Sequence, residues 1–400
     1  MTVLSIVIPA YNEENGIAEI ASRVLSVEPE LKRVGVDRLE LLIVDDGSRD
    51  RTAEAAETIP GVCLIRHSIN RGYGAALKTG FSKAGGELIG FLDADGTYPP
   101  EYLPQLCEAA LGGADLVIGS RMAGEDSKMP FTRRVGNFIF AHLLTLLSRQ
   151  KVTDSASGMR VFRREVLRDI YPLPDGLNLT PVMSTRAVHE GIRIREIPIP
   201  YSERVGRSKL SVVRDGSIFM QSMLWTALSY NPVRILGLLG LGVLGIAGLV
   251  FLWIVYLRLN GIMTLTPWGV AALFLALIST ITGVNLLALG ITFNYLVALF
   301  YKRPIRQGLF GNPIFKTPLD RQFGWMGLAA VIAGPALALT VLLLGGSSWE
   351  ISRLWFYMVG SALIFLVGVQ LLIYWLLLRI LEELSQREIL TKQDIGLGRA

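Results

Sequence analysis

The chain has 400 residues, 51% of them hydrophobic, with two cysteines and a formal net charge of +5, enough for two or three ordinary domains. Residues 1–232 carry 27 Lys+Arg and 28 Asp+Glu, net −1, whereas residues 233–400 carry 12 and 6, net +6. The basic excess thus belongs to the hydrophobic half, which removes nucleic-acid binding as its cause, and the composition excludes a disordered chain, a collagen-like repeat and a disulfide scaffold.

The front half alternates short β-branched runs with helical patterns. Strands are predicted over residues 4–8, 39–44, 62–66, 88–92 and 115–119, and helices near 15–27, 51–59, 74–84 and 101–111. Apolar strands alternating with helices predict an α/β domain with a mostly parallel, doubly wound sheet. Residues 1–10 lack the basic start, length and cleavage site of a secretory signal. Cys63 and Cys107 read as thiols of a reducing compartment.

Ligands of such sheets bind at the carboxyl ends of the strands, and the polar motifs fall there. The first strand ends in Pro9-Ala10-Tyr11-Asn12-Glu13-Glu14 and the second in Asp45-Asp46-Gly47-Ser48. The third leads to Asn70-Arg71-Gly72-Tyr73-Gly74 and the fourth to Asp93-Ala94-Asp95-Gly96. Four acidic or glycine-rich turns on one edge suit a nucleoside diphosphate with a metal. Asp93 and Asp95 offer hard oxygen ligands to Mg²⁺ or Mn²⁺, which bridges phosphate oxygens. A turn with a helix cap is the bland reading of Asp45–Ser48, compatible with binding. Asn70 and Gly72 fit a turn as well as a binding loop. Lys78 reads as a solvated helix residue, and His67, His142 and His189 lack metal-ligand spacing.

Together with Gly119-Ser120-Arg121, Asp154-Ser155-Ala156-Ser157-Gly158-Met159-Arg160 and Glu203-Arg204-Val205-Gly206-Arg207-Ser208-Lys209-Leu210, these turns resemble the family-2 glycosyltransferases of GT-A fold. Within them, the chain resembles the polyprenyl-phosphate (dolichol-phosphate mannose/glucose synthase-like) enzymes over about residues 3–215. The resemblance implies an inverting, metal-dependent transfer of a hexose from a GDP-mannose or UDP-glucose type of donor to an undecaprenyl or dolichyl phosphate. It implies that Pro9, Ala10, Tyr11, Glu13, Asn70, Gly72 and Asp45 or Asp46 hold the nucleoside, and that Asp93 and Asp95 position metal and diphosphate. It further implies that Arg121, Arg160, Arg204, Ser208 and Lys209 meet phosphates, and that Asp154, with Asp95 the catalytic pair, orients or deprotonates the acceptor. One departure is Thr97, where mannose synthases carry Gln as a further metal contact; it bears on the sugar more than on the reaction.

Two stretches, 131–150 and 211–230, mix basic and large apolar residues and are predicted to lie on the membrane surface. Four uncharged stretches follow at 235–257, 269–300, 324–348 and 354–378. Each exceeds the roughly 20 apolar residues that a helix needs to cross a bilayer. The expected organisation is therefore a GT-A domain at 1–210, an interfacial helix at 211–232, four transmembrane helices at 233–381 and a tail at 382–400. No Asp, Glu, Lys or Arg falls mid-span, which argues against an ion-coupled transporter. Two other functions compete: a processive polysaccharide synthase and a non-catalytic lipid-flipping or scaffold protein. The segment Gln221-Ser222-Met223-Leu224-Trp225 lacks the Gln-x-x-Arg-Trp of the synthases, and intact Asp93, Asp95, Asp154 and Arg160 disfavour a dead site. Homo-oligomers are compatible with the sequence.

Loop 301–323 carries Lys302, Arg303, Arg306, Lys316 and Arg321, while the loops on either side hold one basic residue each, Arg258 and Arg353. Positive-inside bias predicts a multi-pass protein of the cell (inner) membrane with the front domain, this loop and both termini cytoplasmic. Cysteine labelling from outside intact cells is expected to reach a cysteine placed at Asn260 and to miss one placed at Gln307; the reverse pattern would refute this topology.

Overall fold

The computed structural model describes residues 1–122, 131–147, 150, 152–201, 211–262, 266–301, 319–345 and 351–394. It comprises two compact units, Met1–Ala227 and Leu228–Ala400. The expected sites Arg204, Ser208 and Lys209, and Lys302, Arg303, Arg306 and Lys316 of the basic loop, lie outside the described residues.

In the first unit, all five predicted strands form: β1 (Val3–Ala10), β2 (Arg38–Asp45), β3 (Val62–Arg66), β4 (Leu88–Phe91) and β5 (Leu116–Ser120). Two more, β6 (Arg160–Arg163) and β7 (Ile194–Pro198), complete a sheet of order β3-β2-β1-β4-β6-β5-β7. Only β6 runs antiparallel to its neighbours β4 and β5. Its amino end therefore lies at the same edge as the carboxyl ends of the other strands. That reversal delivers the Asp154–Gly158 segment to the edge where Asp93 and Asp95 emerge. The order also places β1 beside both β2 and β4, the switch point at which open sheets form their ligand crevice.

Both faces of the sheet are covered. Leu4, Ile6 and Ile8 of β1 pack on one side with α1 (Ile17–Ser26) and α5 (Leu103–Leu111). Val7 packs on the other with α4 (Tyr73–Lys83) and α8 (Leu179–His189). This period-two division of one strand between two cores is why its sequence reads as a continuous apolar run. Short helices α2 (Glu28–Arg33), α3 (Thr52–Glu57) and α7 (Val166–Ile170) complete the connections, with α6 (Phe131–Leu147) and α9 (Val212–Tyr230) following the two motif-rich segments.

The second unit is four long helices: α10 (Pro232–Leu259), α11 (Pro267–Tyr301), α12 (Leu319–Gly345) and α13 (Ile351–Asp394). All four are long and apolar enough to cross a membrane. They pack through small residues. A Cβ on Gly240 of α10 would lie 2.8 Å from the Gly283 carbonyl oxygen of α11, and one on Gly327 of α12 would lie 2.9 Å from that of Gly368 on α13. Such backbone approach gives van der Waals contact where no hydrophobic force drives association. The Ser361 hydroxyl donates to the Gly334 carbonyl at 2.7 Å, and Tyr374 to Asn285 at 3.3 Å. Ser361 and Tyr374 thus bond between helices, whereas Thr280, Thr292 and Thr340 bond within their own.

In the first unit, α4 lies so close to β1 that a Cβ on Gly80 would meet Val7 Cγ1 at 2.2 Å. Both residues are fully enclosed, so Gly80→Val overpacks the core and should destabilise the domain by about 1–3 kcal/mol. Thermal melting of the full chain in detergent checks this; an unchanged midpoint would contradict the close packing.

Candidate functional site

The turns after β1 and β2 are tied together. The Asn12 amide donates to Ser48 Oγ at 2.9 Å, and the Arg49 amide donates to Asn12 Oδ1 at 2.8 Å. The Glu13 amide donates to Thr52 Oγ1 at 2.8 Å, and the Arg51 amide to Glu14 Oε2 at 3.1 Å. Asn12 adopts φ +52°, a left-handed conformation that Asn tolerates better than most residues. Beside it, Asp46 holds the next motif: its carboxylate accepts from the amides of Arg71 at 2.9 Å and Gly72 at 2.8 Å. His67 Nδ1 lies 2.7 Å from the same carboxylate while its Nε2 meets Thr79 Oγ1 at 3.0 Å. The imidazole thus supports Asp46 without a ligand of its own.

At the end of β4, the Tyr73 hydroxyl donates to Asp93 Oδ1 at 2.8 Å. Burial, then the neighbouring Asp93 charge, hold that phenol well above its ordinary range, so it stays a donor. A Cβ on Gly158 would meet Asp93 Oδ2 at 2.5 Å; glycine there leaves the carboxylate its place. Asp95 Oδ1 accepts from the Thr97 amide at 3.1 Å and the Thr97 hydroxyl at 2.6 Å. Thr97, where a glutamine was the family's pattern, orients Asp95.

Opposite lies Arg121, directly after β5. Its Nε and Nη2 fork onto Asp154 Oδ2 and Oδ1 at 2.7 and 2.8 Å, and its amide donates to Oδ2 at 3.0 Å. The guanidinium faces the rings of Tyr98 and Tyr201 at 5.7 and 5.6 Å, a cation–π arrangement. Burial alone would lower its pKa, but the Asp154 charge outweighs that and drives it above the ordinary value. Glu196 of β7 accepts from the amides of Thr153 and Asp154 at 2.9 Å, locking the segment that carries the carboxylate.

These groups surround one cavity of about 520 Å³. Pro9, Ala10, Tyr11, Glu13, Asp46, Asn70 and Gly72 line it on the nucleotide-motif side, with Asp93, Asp95 and Arg121. Thr132, Gly136, Asn137 and Phe140 of α6 and Gly216 and Phe219 of α9 close the other side.

A family profile described as Glycosyl transferase family 2 matches residues 5–171, and one described as Domain of unknown function (DUF8752) matches residues 232–392. The dolichyl-phosphate hexose transferase of Haloferax volcanii is 35% identical over 220 residues, 55% of this chain and 92% of that protein. This chain belongs to glycosyl transferase family 2. The undecaprenyl-phosphate 4-deoxy-4-formamido-L-arabinose transferase of Pseudomonas aeruginosa is 32% identical over 305 residues, 74% of this chain and 86% of that one. A crystal structure of glucosyl-3-phosphoglycerate synthase from Mycobacterium tuberculosis with uridine diphosphate superposes with a TM-score of 0.46 at 21% identity, covering 56% of this chain and 80% of that one.

Within this family-2 glycosyltransferase, three of the expected residues are buried. Asp154 is fully enclosed, and both its oxygens are engaged by Arg121, which it positions. Arg160 is also fully buried, inside β6. It donates from Nε to the Ser157 carbonyl at 3.1 Å and from Nη2 to the Ser155 carbonyl at 2.8 Å, and burial pushes its pKa down to about 10. Arg160 braces the Ser155–Ser157 backbone through these two bonds. Asp45 accepts from the Ser48 amide at 3.1 Å and lies off the cavity wall. Asp45 closes a turn but caps no helix, since the next helix begins at Thr52 with no side-chain cap, and Asp46 is the member of the pair on the wall.

Tyr73, Tyr98, Asn137, Tyr201 and Glu196 were not among the expected residues. Tyr73 and Tyr98 stand inside or next to the motifs, but a lone tyrosine there carries no signal of its direction. Asn137, Glu196 and Tyr201 arrive from remote elements.

Burial tends to raise the Asp154 carboxyl, but Arg121 overcomes it and holds the pKa below the ordinary range. That stability is present above the unfolded-state value of about 3.9 and is lost as pH falls through the lower native value. Asp154→Asn should destabilise the domain by about 3–5 kcal/mol at neutral pH, because a buried guanidinium loses its counter-charge. The variant should also lose part of the acid dependence seen in denaturant melts of the wild type. Parallel wild-type and variant curves across pH 3–7 would contradict this.

Proposed function

We propose that the protein transfers a hexose from a nucleoside-diphosphate sugar to a polyprenyl phosphate at the membrane surface, inverting the anomeric carbon. The observation that carries this reading is the cavity itself, which joins carboxylates and a guanidinium on one side to the helices α6 and α9 on the other. Those helices present large apolar side chains outward: Phe131 is 79% exposed and Trp225 65%, with Phe138, Ile139, Leu146 and Ile218 also exposed. Helices with one apolar face outside and the other on an anion-binding cavity suit a substrate whose tail lies in lipid and whose head is charged. The acceptors in the names of the relatives, dolichyl and undecaprenyl phosphate, support the same reading.

In this reading, Pro9, Ala10, Tyr11, Glu13, Asp46, Asn70 and Gly72 form the nucleoside wall. Asp93 and Asp95 are hard oxygen donors on the cavity wall, a set that fits Mg²⁺ or Mn²⁺. Among the described residues no three His, Cys, Asp or Glu side chains gather as a metal cage, so the diphosphate would complete the coordination. A divalent cation bound there would neutralise charge developing on the leaving diphosphate. Arg121, braced by Asp154, offers its charge to a phosphate.

The acceptor chemistry accords with the enclosed Asp154. A phosphate monoester with a second pKa near 6 is largely dianionic at neutral pH, so its oxygen needs no base. That oxygen forms a bond to the anomeric carbon as the bond from this carbon to the diphosphate oxygen breaks. The electron pair departs with the nucleoside diphosphate. One displacement without an enzyme nucleophile inverts the centre. Four spans and the basic loop support an integral protein of the cell membrane with the catalytic unit cytoplasmic.

The test presents purified full-length protein with labelled UDP- and GDP-sugars and undecaprenyl phosphate, undecaprenol or a free oligosaccharide. Label is expected in an organic-extractable product with undecaprenyl phosphate only. EDTA should abolish transfer, and Asp95→Asn should lower turnover by about two to three orders of magnitude. Transfer to the alcohol or oligosaccharide instead, or full activity in EDTA, would overturn the acceptor or the metal assignment.

A further inference from the structure

Asn137 stands apart from the rest of the cavity wall. It is 5% exposed, on the α6 face that also brings Thr132, Gly136 and Phe140 to the cavity at successive four-residue intervals. Its Nδ2 donates to the Thr153 carbonyl at 3.4 Å, while its Oδ1 is buried without a hydrogen-bond partner among the described residues. A rotated amide would set oxygen against the Thr153 carbonyl, so that contact determines which end is left over. The contact is itself well anchored. Thr153 is held by Glu196 through its amide at 2.9 Å and its hydroxyl at 2.8 Å, and its hydroxyl also meets Ser120 Oγ at 2.9 Å.

A buried carbonyl without a donor costs stability that a neutral donor group can restore on binding. The lipid phosphate is a poor match, since as a dianion it has only acceptor oxygens to set against this acceptor. The diphosphate fails for the same reason. The nucleoside also carries N–H and O–H donors, but in the proposed reading it lies on the Pro9–Gly72 wall, away from α6, which leaves the sugar with its O–H donors. We infer that Asn137 Oδ1 accepts a hydrogen bond from a hydroxyl of the transferred hexose and so sets the specificity of the site for the sugar. The inference rests on the proposed glycosyl transfer and adds to it a residue that reads the donor. Resident α6 makes the same helix serve both substrates: its outer face meets lipid, and one inner side chain meets the sugar.

The experiment first finds the UDP- or GDP-sugar that wild-type protein transfers, then compares it with its 2-, 3-, 4- and 6-deoxy analogues on wild type and Asn137→Ala. In the wild type, one deoxy analogue should lose about 10- to 100-fold in kcat/KM, because it leaves the carbonyl unpaired. Asn137→Ala should lose a similar factor with the parent sugar and show no further loss with that one analogue. Binding of the free nucleoside diphosphate by calorimetry should be unchanged, which separates loss of sugar reading from a misfolded site. Asn137→Ala keeping kcat/KM for the parent sugar within twofold would overturn the inference, as would a loss additive with every deoxy analogue. Absence of transfer by the wild type from every sugar nucleotide would instead refute the proposed function on which it rests.

Discussion

The ion pair between the enclosed Arg121 and Asp154 organises this edge of the sheet. Arg121 and Asp154 are 33 residues apart, one following β5 and the other preceding β6. They can meet only because β6 runs antiparallel and starts where β5 ends. Removing two charges from water is costly, and attraction at short range offsets it only when the geometry is complete. Here it is: a fork on both oxygens, a backbone amide, and two tyrosine rings on the remaining sides. Glu196 of β7 then fixes the backbone that carries Asp154. Three strands on one side of the switch point are thus committed to keeping a single positive charge at the cavity wall.

On the other side of that point, the turns after β1 and β2 and the Asn70–Gly74 motif supply neutral and anionic surface. The division is chemical. Carboxylates suit a nucleoside's N–H and O–H groups and a bridging cation, and a guanidinium suits phosphate. Helices α6 and α9 add apolar faces. Membership in glycosyl transferase family 2 and the four long apolar helices of the second unit are consistent with chemistry carried out beside a bilayer.

Much of this was legible in the residues. The five apolar strands, the helices between them and the four long hydrophobic segments follow from periodicity and length, because each buries a whole face or a whole surface. The turn motifs also read correctly as one edge, since parallel strands place all their carboxyl ends together. β6 and β7 were not legible. Arg-Val-Phe-Arg and Ile-Arg-Glu-Ile-Pro mix charge with few apolar residues, and only tertiary pairing makes them strands. The same blindness extends to side-chain contacts. A motif shows that Asp154 and Arg160 matter, but which way a side chain points depends on strand direction. That Asp154 braces Arg121, and that Arg160 supports the Ser155–Ser157 backbone, therefore left no mark in the sequence. Asn137 left no local trace, since only the fold discloses that half of its amide is used.

The knot between the first two turns has a thermodynamic consequence. The Asn12–Glu14 turn and the Ser48–Thr52 segment exchange bonds in both directions, and Asn12 is held left-handed between them. Neither turn can shift without breaking bonds to the other, so they fluctuate as one body. The conformational entropy of ordering this wall is lost when the chain folds, long before any ligand arrives. A molecule landing on it therefore surrenders mainly its own freedom, and its affinity registers contacts rather than loop ordering. Loosening Ser48 or Thr52, neither of which lines the cavity, would transfer that entropic cost from folding to binding.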